Sequence, residues 1–289
     1  APGGVPGDRR GGPLDWRGLM LGTLGTLCLL NGLVAMHSGP YAQAALLMSG
    51  AILFFVLFLW WQRRVSRRGL QPLMDLRVFS YRQFAMGSVV AFIYGTALFG
   101  STYLLPVFMQ LGLQLSASHV GTIMLPSGIV LAMTIPLVGR LADRVPTHWL
   151  VSTGLALLGA SFALMMLVGL QSALWMLVLF AVLGRIGLGF ILPSLNLGAM
   201  RPLDKTLISQ GSSVIGFVRM LGGAAGVSLC GIVLEWRLGV HGDSLATAAT
   251  SAARIAAFGE TFLMLAGLCL LALIAAWQLR GAPAQTDAP

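Results

Sequence analysis

Long runs of apolar residues separated by short polar gaps make up most of the 289-residue chain. A helix that crosses a lipid bilayer needs about 20 consecutive apolar residues, and eight runs reach that length. The predicted helices lie at 17–36, 42–61, 84–110, 118–139, 149–169, 174–199, 211–234 and 258–279. The pattern therefore predicts an all-α polytopic membrane protein with eight transmembrane helices.

Helices are predicted because the runs are long and do not alternate in polarity. A membrane strand needs only about 10 residues and alternates apolar with polar side chains. A helix also satisfies its own backbone hydrogen bonds inside the hydrocarbon region. The predicted helices divide into a pair, at 17–61, and a group of six, at 84–280. Around them lie a predicted cytoplasmic linker, a basic cytoplasmic loop and a cytoplasmic tail, at 1–16, 62–83 and 281–289.

The composition agrees with a lipid surrounding. Only 9% of the residues are charged, 57% are hydrophobic and the mean hydropathy is +0.86. A soluble domain carries about 25% charged residues, so this chain has too few to cover a water-facing surface. The lipid bilayer is the expected partner of the apolar surface.

Cations outnumber acids, with 18 lysines and arginines against 9 aspartates and glutamates. If eight helices alternate in direction, 14 cations share one side with both termini, and only Arg237 and Arg254 lie on the other. Cytoplasmic loops are the ones rich in arginine and lysine, so both termini are predicted to be cytoplasmic. Because the cations fill short gaps between apolar runs, nucleic acid is not an expected partner.

The cysteines and histidines give no sign of a metal site. Cys28, Cys230 and Cys269 lie far apart inside apolar runs, and the four histidines lie near helix ends without ligand spacing. No phosphate-binding loop, zinc-protease motif or nucleophile elbow is present in the sequence. The sequence therefore predicts no metal and no cofactor, and it gives no support to a hydrolase or an ATP-driven pump.

A charged turn with the sequence GRLADR follows the fourth predicted helix, at 139–144. Asp143 is expected just ahead of a helix start, where the helix dipole favours a carboxylate. Arg140 and Arg144 could pair with carboxylates across a mobile interface. Charge alone leaves two interpretations open: a latch that holds one conformation, or an ordinary positively charged cytoplasmic loop.

This turn resembles the G-x-L-A-D-R loop motif of the major facilitator superfamily, in its second-half copy. Further stretches resemble segments of the 14-span drug:proton antiporters of that superfamily, in the right order. They read DWRG at 15–18, PLMDLRVF at 72–79, GRIGLG at 184–189 and RMLGGAAGV at 219–227. From residue 13 to about 280, the chain resembles the C-terminal portion of such a multidrug efflux protein.

The resemblance implies a major-facilitator fold whose C-terminal six-helix bundle is 84–280, preceded by an extra helix pair. It implies alternating access, with protons exchanged for a small amphipathic drug or toxic compound across a bacterial plasma membrane. Gly139, Arg140, Asp143 and Arg144 then form a conformational gating motif. The glycine- and proline-rich start and the absence of an initiating methionine lead us to expect a fragment that lacks the N-terminal six-helix half.

Three charges lie inside predicted helices: Arg185, Arg219 and Glu260, the only acid there. An arginine at the bilayer centre costs roughly 3 kcal/mol, so it usually faces a bundle interior or a wet cavity. The arginines could contact substrate or pair with a charge in the missing half, or they could tie to backbone carbonyls. Family members keep the proton-coupling carboxylate in the missing half, which agrees with the scarcity of acids here.

Other polar and small residues in the helices have more than one interpretation. Tyr94, Tyr103 and Asn196 could line a substrate cavity that mixes aromatic and polar surface, or they could anchor helices to one another and to the interface. Gly222 and Gly226 are spaced for close helix packing.

Two alternative functions remain open at this stage. A half-size membrane scaffold or subunit without transport of its own would apply if the natural chain began near Ala1. A membrane-embedded enzyme would need a nucleophile or a His/Asp cluster at one interface, and inspection of the sequence finds none.

Overall fold

The structure is a computed structural model that describes residues 15–38, 41–67, 74–245 and 251–279. The eight predicted helices are confirmed. They are α1 (Trp16–Ser38), α2 (Tyr41–Arg67), α3 (Arg82–Val107), α4 (Ala117–Leu141), α5 (Thr147–Met165), α6 (Leu174–Met200), α7 (Ile208–Val240) and α8 (Ala252–Trp277). A 3-10 turn, Leu76–Ser80, precedes α3, and a π-helical turn, Phe108–Gly112, follows it.

Several helices extend past their predicted ends. α2 continues to Arg67, α7 continues to Val240, and α8 begins at Ala252, six residues before its predicted start. Charged residues end an apolar run but do not end a helix, because arginine and glutamate are good helix formers. Glu235 and Arg237 therefore lie inside α7, and Glu260 is not the only acid within a helix. The predicted linker before residue 15, the tail at 281–289 and part of the basic loop lie outside the described residues.

The chain forms two compact units that divide between Arg77 and Val78. The first unit is built on the antiparallel helices α1 and α2. Glycines on α1 receive aromatic side chains from α2: a β-carbon on Gly22 would lie 3.5 Å from the Phe58 ring, and one on Gly25 would lie 3.3 Å from the Phe55 ring. Small residues of this kind let two membrane helices approach closely.

The second unit contains α3 to α8. α3 packs most extensively against α7 and also touches α6 and α8, while α5 packs between α6 and α8, and α4 lies against α6. Because successive helices alternate in direction, one end of the unit carries residues 139–144 and the other carries residues 237–260. We call these the motif end and the far end.

Backbone meets backbone where α3 packs against α7, and we call this contact the α3–α7 seam. A β-carbon on Gly222 would collide with the carbonyl of Phe92, and one on Gly226 would lie 2.5 Å from the carbonyl oxygen of Thr96. The Thr96 hydroxyl donates to the carbonyl of Gly222 at 2.9 Å. The glycine spacing in the sequence thus corresponds to the closest helix contact in the unit.

A buried arginine ties three elements together at the far end. Arg254, at the start of α8, is only 1% exposed. Its Nη2 donates to Asp243 Oδ1 at 3.1 Å and to the Ser244 carbonyl at 2.6 Å. Its Nη1 donates to the carbonyl of Leu111 at 3.2 Å, in the π-helical turn after α3. The guanidinium group therefore joins α8, the α7–α8 connection and the end of α3.

A second ion pair joins α7 to α8 at the same end. The guanidinium of Arg237 donates to both carboxylate oxygens of Glu260, and His241 Nε2 lies 3.2 Å from Glu260 Oε2. The side chains of Arg237 and Glu260 are 26% and 28% exposed. Both cations that the sequence places on the sparsely charged side are thus held by acids.

We expect Gly222→Ala to destabilise the second unit, because its β-carbon forces the Phe92 backbone to move. Overpacking of this kind costs about 1–3 kcal/mol. The matched control is Gly216→Ala on the same helix, where a β-carbon would meet no atom within 4 Å. That control should be neutral or stabilised, since alanine favours a helix over glycine by roughly 0.5–1 kcal/mol. Thermal unfolding in detergent measures the stability of both variants. Equal melting temperatures would contradict close backbone packing at the α3–α7 seam.

Arg254→Met should destabilise far more than Arg237→Met, although both remove an arginine that is paired with an acid. Loss of one partner from a buried pair costs about 3–5 kcal/mol because it leaves Asp243 uncompensated. A partly exposed pair contributes about 0–1 kcal/mol. Unfolding by a denaturing detergent would compare the stability of the two variants. Similar losses of stability would show that the burial of Arg254 does not make its ion pair more important than that of Arg237.

Candidate substrate site and gating motif

Tyr94 is the point at which three helices of the second unit bring polar groups together. Tyr94 lies on α3 and is only 3% exposed. The guanidinium groups of Arg185, on α6, and Arg219, on α7, lie close enough to interact electrostatically with its hydroxyl. We call these three residues the Tyr94 cluster. The sequence singled out two of them by charge and one by polarity, and the structure places all three near one another.

Close packing explains why the cluster forms. Gly95 follows Tyr94, and a β-carbon there would collide with the backbone carbonyl of Arg219. Gly184 precedes Arg185, and a β-carbon there would lie 2.7 Å from the Ser161 hydroxyl. The glycine beside Tyr94 therefore lets α3 and α7 approach each other, and the glycine beside Arg185 lets α6 approach α5.

No acid neutralises the cluster within the part of the chain that the structure describes. There, neither Arg185 nor Arg219 makes a side-chain hydrogen bond or an ion pair, and both are partly exposed. Arg185 also lines a small cleft with Ser101, Leu105 and Phe162. Guanidinium groups in such a position can bind a carboxylate or another anion through charge-assisted hydrogen bonds.

The other predicted cavity residues lie at different depths from the Tyr94 cluster. Tyr103 lies nine residues further along α3, about 13 Å towards the far end at 1.5 Å per residue. It is half-buried and interacts electrostatically with Glu235. Asn196 is exposed, about 16 Å from Arg185 along α6 and towards the motif end. A cavity that included Tyr94, Tyr103 and Asn196 would have to run through most of the length of the second unit.

Two acids, Glu235 and Glu260, lie within helices at the far end of the second unit. The sequence-based prediction missed Glu235 because the apolar run ends at Leu234. Glu235 could have been placed in α7 only by extending the predicted helix beyond the apolar run. Glu260, predicted as an intramembrane charge, lies within α8 and is engaged by Arg237 and His241. It belongs to the far end and not to the Tyr94 cluster.

The predicted gating motif forms a tight turn between α4 and α5. Gly139, Arg140 and Leu141 lie in the last turn of α4, and Asp143 and Arg144 are exposed in the turn that follows. The turn includes part of a small apolar cluster, which consists of Val138, Ala142 and Leu150. Val145 and Phe190 pack against this cluster. The apolar positions of the motif hold the turn, and the charged positions face outwards.

Asp143 does not cap the following helix as the sequence led us to expect. α5 begins at Thr147, preceded by Pro146, and no side chain caps its first turn. Proline disfavours helix in the residue before it, so α5 cannot start closer to Asp143. Over the described residues, the side chains of Arg140, Asp143 and Arg144 make no hydrogen bond or ion pair. They remain available to a partner surface.

Comparison with known proteins places this architecture in a family. Residues 5–227 match the family model described as Major Facilitator Superfamily. The lincomycin resistance protein LmrB of Listeria innocua is 28% identical over 220 residues, which is 75% of this chain and 45% of that protein. The multidrug transporter protein MdtP of Bacillus subtilis is 26% identical over 242 residues, 82% of this chain and 44% of that protein.

A third relative is the colistin resistance protein EmrB of Acinetobacter baumannii. It is 28% identical over 171 residues, 59% of this chain and 33% of that protein. The chain thus spans about half the length of these relatives, or less. The family model covers most of the chain, and the relatives carry transporter or drug-resistance names, so the family predicted from the sequence is confirmed. This multi-pass membrane chain belongs to the major facilitator superfamily, a family of transporters and not of enzymes.

Proposed function

We propose that this chain is the C-terminal part of a secondary active exporter that exchanges protons for drugs or toxic amphipathic compounds. The observation that carries the proposal is the match to the major facilitator superfamily over residues 5–227. Relatives named for multidrug, lincomycin and colistin resistance support an amphipathic small molecule as cargo. Their greater length supports an additional N-terminal six-helix half.

In this proposal the Tyr94 cluster faces the central cavity between the two halves. Its two guanidinium groups bind the anionic part of a substrate or a carboxylate of the N-terminal half. The aromatic ring of Tyr94 adds an apolar surface next to those charges. A site of this composition favours anionic or zwitterionic cargo, because bringing two unneutralised cations next to a purely cationic drug is repulsive.

The gating motif acts in the same cycle. Arg140, Asp143 and Arg144 project from a supported turn at the motif end, where they latch the second unit to the N-terminal half in one conformation. Breaking these pairs releases the bundle to rock, and the substrate site becomes open to the other side of the membrane. The excess of cations on the motif-end side favours a cytoplasmic location for this turn and for both termini. The bacterial relatives favour a bacterial cell membrane.

Transport can be tested with the gene product that contains this chain, in inside-out membrane vesicles whose interior is acidified. Because proton exit should drive drug entry, a radiolabelled anionic or zwitterionic amphipathic drug should accumulate in the vesicles, and the cation ethidium should accumulate less. Addition of the drug should also release part of the proton gradient, measured with a pH-sensitive dye. Nigericin, which removes the pH gradient, should abolish accumulation. Vesicles that move neither protons nor any tested drug would contradict the proposal.

Replacement of the cluster arginines tests whether they carry the cargo site. Arg185→Gln or Arg219→Gln should lower drug-driven proton exchange about 10- to 100-fold, the range expected for loss of a charge-assisted hydrogen bond. The matched control is Arg201→Gln, an exposed arginine at the end of α6, which should transport normally. If both cluster variants are present at normal levels and transport at the wild-type rate, the arginines are structural and not part of the site.

A further inference from the structure

Four arginines gather at one end of the α1–α2 hairpin, in the first unit. Arg17 is the second residue of α1, and Arg63, Arg64 and Arg67 occupy the last two turns of α2. Because α1 and α2 are antiparallel, the start of one and the end of the other lie together. All four side chains are exposed.

The two described carboxylates nearby, Asp15 and Asp75, are hydrogen-bonded to other groups, and neither forms an ion pair with one of the four arginines. Asp15 Oδ1 accepts from the Gly18 amide at 2.9 Å and from Trp61 Nε1 at 2.9 Å, and Asp15 Oδ2 accepts from Gln62 Nε2 at 3.0 Å. Asp75 is bound by the Arg77 guanidinium at 2.6 Å, and these hydrogen bonds lower the pKa of Asp75. Within the described residues of this unit, none of the four arginines makes an ion pair.

Two tryptophans orient the guanidinium groups. Arg17 lies over the ring of Trp61, with 5.3 Å between its Cζ and the ring centroid, and Arg64 lies over Trp60 at 5.2 Å. Cation–π contacts of this geometry are attractive. Trp61 is itself held by its hydrogen bond to Asp15, so the position of Arg17 is fixed through the ring. Together, Arg17, Arg63, Arg64, Arg67, Trp60 and Trp61 form what we call the arginine–tryptophan cluster.

The surface beside this cluster is apolar and exposed. Met20 and Val56 are 62% and 56% exposed, and Trp16 and Trp60 are 67% and 54% exposed. Tryptophan side chains prefer the boundary between hydrocarbon and headgroups. Unpaired guanidinium groups at that boundary, next to an apolar helix face, match a ligand that has a phosphate head and acyl chains.

We propose that the arginine–tryptophan cluster is a binding site for the headgroup of an anionic phospholipid. The phosphate accepts hydrogen bonds from Arg17 and Arg64, which the tryptophan rings hold in place. Arg63 and Arg67 add positive charge around it. The acyl chains lie along the exposed apolar faces of α1 and α2. A soluble phosphate compound would contact only the arginines and would not contact the apolar faces of α1 and α2.

The test compares lipid binding to the purified chain by native mass spectrometry, with phosphatidylglycerol and phosphatidylcholine of the same acyl chains. Phosphatidylglycerol should bind more tightly, and the double variant Arg17→Gln/Arg64→Gln should weaken it about tenfold or more, since each surface arginine contributes about fivefold. The matched control, Arg201→Gln/Lys205→Gln, removes the same charge from exposed positions between α6 and α7 and should bind like the wild type.

A second measurement follows the tryptophans directly. Brominated phosphatidylglycerol should quench tryptophan fluorescence more than brominated phosphatidylcholine, and this difference should vanish in the double variant but persist in the control. Circular dichroism checks that both variants keep their helices. The proposal is overturned if phosphatidylcholine binds as tightly, if the double variant binds like the wild type, or if glycerol 3-phosphate competes at the affinity of the whole lipid.

Discussion

Close backbone approach between α3 and α7 is the contact on which the second unit depends. In lipid, no water drives apolar helices together, so association rests on van der Waals contact and interhelical hydrogen bonds. The α3–α7 seam supplies both through Gly222, Gly226 and the hydroxyl of Thr96. The same seam sets the carbonyl of Arg219 against Gly95, so the geometry of the Tyr94 cluster is a consequence of how closely these helices pack.

The two ends of the second unit are held in different ways. At the far end, the ties include the almost fully buried Arg254 and the pairing of Arg237 with Glu260. At the motif end, the side-chain ties are exposed: Tyr81 donates to Asp204 at 3.3 Å, and Arg82 donates to Gln278 at 3.0 Å. Among the described side chains, a buried charge pair thus lies at the far end, while these two hydrogen bonds at the motif end are exposed.

The sequence predicted the helices well and the site only in part. Length and hydropathy identify a membrane helix without knowledge of its neighbours, which is why all eight were found. Helix ends were less accurate, because Arg237 and Arg254 look like loop residues until their acid partners are known. Arg185 and Arg219 stood out because buried charge is costly, but their meeting at Tyr94 depends on how three helices pack, which a one-dimensional pattern does not contain. The expected helix cap at Asp143 was wrong because Pro146 shifts the start of α5.

The burial of Arg254 has a consequence for biogenesis. Its carboxylate partner, Asp243, is only 11 residues away in the sequence, in the connection that leads into α8. The ion pair can therefore form within the α7–α8 hairpin during synthesis, before the other helices have assembled around it. A guanidinium that enters the membrane environment already neutralised avoids much of the insertion penalty of a lone charge. The acid that compensates the buried arginine of α8 thus lies only 11 residues before it in the chain.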